Sequence, residues 1–211
     1  PDCVVMNATV RSMKLHGGAF GDRGGIRPDK ATLEAENVEA TSMGAKTNLD
    51  RHIRNMTSFG VPVVVSINRF ASDTDAELAA ISQAAHESGA SSVCITEVHA
   101  KGGEGGKDLA EAVVKAVQNH VAAGRPFVPL FTPETDVLDK AEAIAKRLYK
   151  ADGLELTAKA NRELDRIRSW GYGHLPVCMA KTQYSFSHDP GLLGAPTGFT
   201  IPVREFRLNA G

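Results

Sequence analysis

Between an apolar run and a helical pattern, the stretch Val98–Val114, VHAKGGEGGKDLAEAVV, places four glycines and a lysine. Such a combination could cradle a phosphate, because free backbone amides at a helix N-terminus favour an anion. A Walker A loop needs Gly, four residues, then Gly-Lys-Ser/Thr, so that the hydroxyl can reach magnesium. Here Gly106-Lys107 is followed by Asp108, and Lys101 stands where the first glycine belongs. Asp108 would also set a carboxylate against the phosphate. The dinucleotide pattern GxGxxG fails as well, since Gly103 and Gly105 are followed by Asp108 in place of the third glycine. The loop therefore reads as a tight βα turn whose glycines permit positive φ and close packing, with a direct phosphate cradle as the alternative. A nucleotide-dependent oxidoreductase loses its main support with that failed motif.

Other chemistries find less. The seven histidines show no HExxH and no paired metal-ligand spacing, and His52, His86 and His120 are expected on helix surfaces. No GxSxG elbow accompanies the serines, which argues against nucleophilic hydrolysis. Cys3, Cys94 and Cys178 are far apart, odd in number and without CxxC spacing. They read as small buried hydrophobes of a reducing compartment. The glycine-rich His16–Gly25 reads as an ordered excursion or a crossing loop.

The elements that must hold these loops come next. Four runs read as buried strands: Cys3–Met6, Val61–Ile67, Ser92–Val98 and Pro176–Ala180. VPVVVSI is a continuous β-branched run of the kind a parallel sheet buries on both faces. Helices are expected over Asp73–Glu87 behind a Ser72/Asp73 cap, over Lys107–Ala122, and from about Thr157 to Trp170. Thr132-Pro133-Glu134 reads as the start of another, with Val137, Leu138, Ala141, Ile144, Ala145 and Leu148 on its apolar positions. Strand–helix–strand alternation over Val61–Val121 makes the fold α/β, with a largely parallel or mixed sheet of βαβ units flanked by helices. Gly124-Arg-Pro126 is a plausible boundary. Ligands of such sheets bind beyond the carboxyl ends of the strands. There lie Thr9, Arg11, Lys14, His16, Asn68, Arg69, Phe70, Asp73, His99, Lys101, Lys181, Thr182, Gln183 and Tyr184, a mixture suited to an anionic, partly aromatic ligand.

The formal net charge of −1 over 211 residues offers no global attraction for nucleic acid or anionic membrane. No apolar run approaches the ~20 residues that span a bilayer. Both ends of the sequence look like interior elements, so a piece of a longer protein is expected.

Several stretches together resemble the formate–tetrahydrofolate ligase family. They are NATVRSMKLHGG (Asn7–Gly18), NLDRHIRNMTSFGVPVVVSINRFASDTDAEL (Asn48–Leu78), AKGGEGG (Ala100–Gly106), LPVCMAKTQYSFSHDP (Leu175–Pro190) and GAPTGFTIPVREFR (Gly194–Arg207). The resemblance implies a multidomain ligase of P-loop type. ATP phosphorylates formate, and formyl phosphate passes its formyl group to N10 of tetrahydrofolate. It also implies Mg-ATP, a monovalent cation, and a cytoplasmic homotetramer acting on small molecules. Residues 1–45 would belong to a nucleotide-binding domain, 46–125 to an α/β folate-side domain, and 126–211 to a helical and strand C-terminal segment. Phe70 matches one wall of the folate slot. His99 stands where the facing tryptophan is usual, and Ala71 where a proline is common. Lys181, Thr182 and Gln183, with Arg11 and Lys14, are placed by resemblance on the nucleotide or anion side. The family's P-loop and formyl-phosphate arginine match nothing here, so these 211 residues alone are expected to be inactive unless complemented by an N-terminal portion. The alternative is a non-catalytic folate-binding or assembly module.

Overall fold

The computed structural model describes residues 1–20, 29–179 and 185–209. The chain divides into two units, Pro1–Val128 with Leu193–Ala195, and Pro129–Leu192 with Pro196–Gly211. In the first, β1 (Val4–Ala8) leads directly into α1 (Val10–His16). Then follow α2 (Lys30–Glu34), α3 (Val38–Gly44), a π-helical turn at Ala45–Leu49 and α4 (Asp50–Thr57). The βαβ series comes next: β2 (Val63–Asn68), α5 (Asp75–Glu87), β3 (Ser92–Thr96), the single turn α6 (Val98–Lys101), a 3₁₀ turn at Gly102–Gly106, and α7 (Lys107–Ala123). The sheet is parallel in the order β1-β2-β3, with Val4 opposite Val63 and Val64 opposite Ser92. Val63, Val64, Val65 and Ile67 are fully buried, as the central strand's β-branched composition requires.

The core joins the sheet to Val10, Met13, Leu49, Ile53, Leu78 and Ile81. Each fully buried aliphatic side chain here stabilises by roughly 1.5–3 kcal/mol. The helical stretch Val38–Thr57 has no sequence counterpart in the strand-and-loop reading, partly because Gly44 sits in its middle. The structure explains that glycine. A Cβ on Gly44 would lie 1.9 Å from the Met13 carbonyl oxygen, and one on Gly17 would lie 1.8 Å from that of Ala40. The two helices α1 and α3 thus meet backbone to backbone, which only glycine at both points permits.

Helix α5 starts two residues later than the Ser72/Asp73 cap predicts. Thr74 is its cap, and Glu77 completes a reciprocal capping box. Asp73 is thereby freed to bond elsewhere.

In the second unit, α8 (Val137–Ile144) continues through a π-helical turn at Ala145–Tyr149 to β4 (Gly153–Leu156), α9 (Ala158–Ser169) and β5 (Thr200–Val203). Strands β4 and β5 pair in parallel, Leu154 opposite Ile201. The helix expected from Thr132 begins instead at Val137, where Asp136 accepts the Leu138 N–H at 2.9 Å. Residues 132–135 form a turn, which leaves the Pro133 carbonyl free to accept from Lys140 at 2.7 Å. The strand expected at Pro176–Ala180 is absent over its described part, Pro176–Met179. Those residues alternate between exposed and half-buried and have no ladder partner, so no sheet claims them. Nor are the cysteines buried: Cys178 is exposed, Cys3 and Cys94 are half-buried, and all are free.

Candidate functional site

In the first unit the carboxyl ends of β1, β2 and β3 send their loops to one edge of the parallel sheet, the edge where ligands of such folds bind. Thr9 closes β1 and caps α1, its hydroxyl accepting the Ser12 N–H at 3.2 Å. Helical spacing then turns Arg11 and Lys14 to the same side. The Arg11 guanidinium carbon stands 4.7 Å from the centroid of the Phe70 ring, within cation–π range. Its terminal nitrogen is 3.7 Å from Glu34, while Nε is buried without a hydrogen-bond partner.

Lys14 does not join the anion side. Its ammonium lies 2.7 Å from Glu77, and both side chains are at most 1% exposed. It also donates to the carbonyls of Ala35 at 2.8 Å and Leu33 at 3.4 Å. Three partners use all three ammonium protons, so none is left for a ligand. Glu77 in turn accepts the Asn37 N–H at 2.8 Å and the Thr74 N–H at 3.2 Å. Burial alone would raise its carboxyl, yet these bonds, led by Lys14, hold it below the ordinary glutamate value.

Beyond β2, Phe70 is 37% exposed on a loop that Asp73 pins at both ends. The Asp73 carboxylate accepts the Phe70 N–H at 2.8 Å, and its own N–H donates to the Phe70 carbonyl at 3.0 Å. Asp73 is buried, and desolvation lifts its carboxyl above the usual range. The Phe70 N–H acts against that shift, Glu77 adds to it, and the charges of Lys14 and Arg11 oppose it. Ala71, next to Phe70, is exposed.

Beyond β3 the glycine run behaves as a turn. Gly102 has φ +59°, and a Cβ on Gly105 would lie 2.5 Å from the Glu97 backbone. The Gly105 carbonyl accepts the Glu97 N–H at 3.0 Å, closing the turn on itself. Lys101 pairs with Glu97. His99 is exposed on α6, ahead of the glycines.

His16, at the end of α1, serves a different contact. Its Nδ1 accepts the Gly194 N–H at 3.1 Å, while Asn48 donates to the Gly194 carbonyl at 3.0 Å and Arg51 to that of Ala195 at 2.8 Å. Burial lowers its pKa to about 4, which keeps Nδ1 an acceptor near neutrality.

The structure therefore unites Arg11, Phe70, Asp73, Lys14 and Glu77 in one cluster. Asp73 was among the residues the sequence places beyond the strands, whereas Glu77 was not; the Thr74-x-x-Glu77 capping box was its available signal. Lys181, Thr182 and Gln183 lie outside the described residues.

Comparison with known proteins adds an independent line. A sequence-family model for formate–tetrahydrofolate ligase matches residues 1–211. A formate–tetrahydrofolate ligase of Ruegeria sp. is 49% identical over 211 residues, that of Roseobacter denitrificans 48% over 211, and that of Symbiobacterium thermophilum 46% over 212. Each alignment covers 100% of this chain and 35% of the relative, so the chain spans about a third of the length of the curated relatives it matches.

Proposed function

This chain belongs to the formate–tetrahydrofolate ligase family, and we propose that within the intact protein it supplies the tetrahydrofolate wall for ATP-dependent formation of 10-formyltetrahydrofolate. The observation that carries this is the Phe70 loop. A part-exposed aromatic ring stands at the carboxyl edge of a parallel sheet, on a backbone whose N–H is held by the buried Asp73 carboxylate and whose carbonyl is held by the Asp73 N–H. A flat ring system can stack, offset, on such a surface. His99 and Ala71 complete the proposed wall. An imidazole at position 99 offers less stacking area than an indole and adds a hydrogen-bonding edge.

In the proposed reaction a formate oxygen attacks the γ-phosphorus of ATP and ADP departs. N10 of tetrahydrofolate then attacks the formyl carbon, phosphate leaves, and N10 loses its proton. Cations and backbone amides that stabilise the transferring phosphoryl group would supply most of the rate. Lys181, Thr182 and Gln183 remain the proposed contributors to that side. Among the described residues no group of three His, Cys, Asp or Glu side chains could hold a metal ion. Mg-ATP, a monovalent cation, a cytoplasmic setting and homotetrameric assembly accompany the same proposal. Among the described residues no helix is long and apolar enough to cross a membrane.

The test is calorimetric titration of tetrahydrofolate into the intact protein. Truncating a stacked aromatic commonly costs about 1–3 kcal/mol, so Phe70→Ala should bind about tenfold more weakly, and His99→Trp more tightly than the parent. Unchanged affinity in both variants would remove these residues from the slot and leave an assembly role as the better reading.

A further inference from the structure

Arg11 occupies one face of the Phe70 ring at 4.7 Å, and we infer that it is a positioning and specificity residue for tetrahydrofolate, acting through that ring. The inference rests on Phe70 being a wall of the folate slot.

Three observations support it. First, a benzene ring has two faces, and the guanidinium takes one of them. Phe70 is nevertheless 37% exposed, so the ring still offers surface to a ligand. A ligand is thereby directed to the side away from Arg11. Second, an aromatic face carries negative charge from its quadrupole, which repels another electron-rich face. A cation held against the opposite side draws that density away and makes the open face a better partner for an electron-rich ring. The reduced pterin and the aminobenzoyl group of tetrahydrofolate are both electron-rich. Third, Arg11 is held where it is. It projects from the first turn of α1, two residues after the Thr9 cap, and its side chain is only 37% exposed. Glu34, at 3.7 Å and half-buried, is the only described carboxylate paired with it. An arginine whose charge is not consumed by a close bidentate pair keeps its field for the ring. The Asp73 bonds to the Phe70 backbone fix the other partner of the contact. On this inference the residue acts at the folate wall, whereas the family resemblance sets it on the nucleotide or anion side.

The experiment is a double-mutant cycle in the intact protein, with Kd for tetrahydrofolate and for ATP measured by calorimetry on Arg11→Met, Arg11→Lys, Phe70→Leu and Arg11→Met/Phe70→Leu. Arg11→Met keeps the length of the side chain and removes the charge. It should weaken tetrahydrofolate three- to tenfold, on the order of a partly desolvated cation–π contact, and leave ATP within about twofold. Arg11→Lys should recover most of the loss. In the Phe70→Leu background Arg11→Met should have no further effect, because the ring that transmits it is gone. Four results overturn the inference: wild-type affinity in Arg11→Met, no recovery by lysine, parallel loss of ATP, or additive losses in the cycle. If Phe70→Leu alone leaves tetrahydrofolate binding unchanged, the folate-wall reading itself fails; an effect there with an additive cycle defeats only the role of Arg11.

Discussion

Among the described residues each unit buries one lysine, Lys14 in the first and Lys140 in the second, both 1% exposed, and the two are neutralised differently. Lys14 meets a full opposite charge on Glu77, with two carbonyls completing its shell. Lys140 meets dipoles: the carbonyls of Pro133 at 2.7 Å, His174 at 2.5 Å and Leu175 at 3.3 Å, with the Phe131 ring 5.7 Å away. Among the described residues no carboxylate forms an ion pair with it. Charge against charge makes each member depend on the other, since removing one strands a buried ion. Charge against dipoles leaves only neutral acceptors behind. Both lysines look alike as helix residues in the sequence, yet one ties α5 and the end of α2 to α1 while the other pins a turn and a loop to α8.

The largest effect should follow Lys14→Met. Glu77, 0% exposed, would lose its counter-charge, at about 3–5 kcal/mol by the general cost of breaking a buried pair. Urea unfolding of the intact protein would show it. Adding Glu77→Gln should recover a good part, because glutamine keeps an acceptor for the Asn37 N–H without the charge. Equal stability of the single and double variants would break the contrast between the two lysines.

Acidification should weaken the first unit next. The folded pKa of His16, about 4, is below its ordinary 6.5. The unfolded chain therefore binds the proton more readily, and stability present above pH 6.5 is lost as pH falls towards 4. Linkage makes this up to about 3 kcal/mol. Thermal melts across that range should show the loss, and His16→Gln should flatten it.

Lys140→Met comes third, at about 2 kcal/mol for carbonyls left without donors. No second-site charge removal should rescue it. A loss as large as that of Lys14→Met would mean that carbonyl dipoles and a carboxylate are equivalent partners here.

The smallest effect should come from the open part of the glycine turn, with a crowded glycine of the same turn as its control. Gly103→Ala meets nothing within 4 Å, so its thermal midpoint should move by the equivalent of less than about 0.5 kcal/mol. Gly105→Ala, aimed 2.5 Å from the Glu97 backbone, should cost about 1–3 kcal/mol as overpacking.

How legible the molecule was depends on the distance over which each interaction acts. The β-branched run of β2 and the apolar spacing of α7 announce themselves within a few residues, and both elements formed close to their expected bounds. The stretch from Val38 to Thr57 did not, because Gly44 looks like a helix breaker until the Met13 carbonyl beside it is known. Asp73 read as a helix cap because Ser, Thr and Asp compete for that role in SDTD, and only the Glu77 partner selects Thr74. Pro176–Met179 looked apolar enough for a strand, but a strand requires a neighbour to pair with.

Sequence by itself determined the α/β class, the exclusion of a Walker motif at Gly102–Gly106, and the motifs that place the chain in its family. Those are properties of adjacent residues and their periodicity. The tertiary structure decided that Lys14 is sealed against Glu77 while Arg11, one helical turn earlier, lies over Phe70. That division depends on which atoms of α1 come within a few ångströms of residues some sixty positions away. Coulomb and dispersion energies fall off with distance in space, and distance along the chain does not report it.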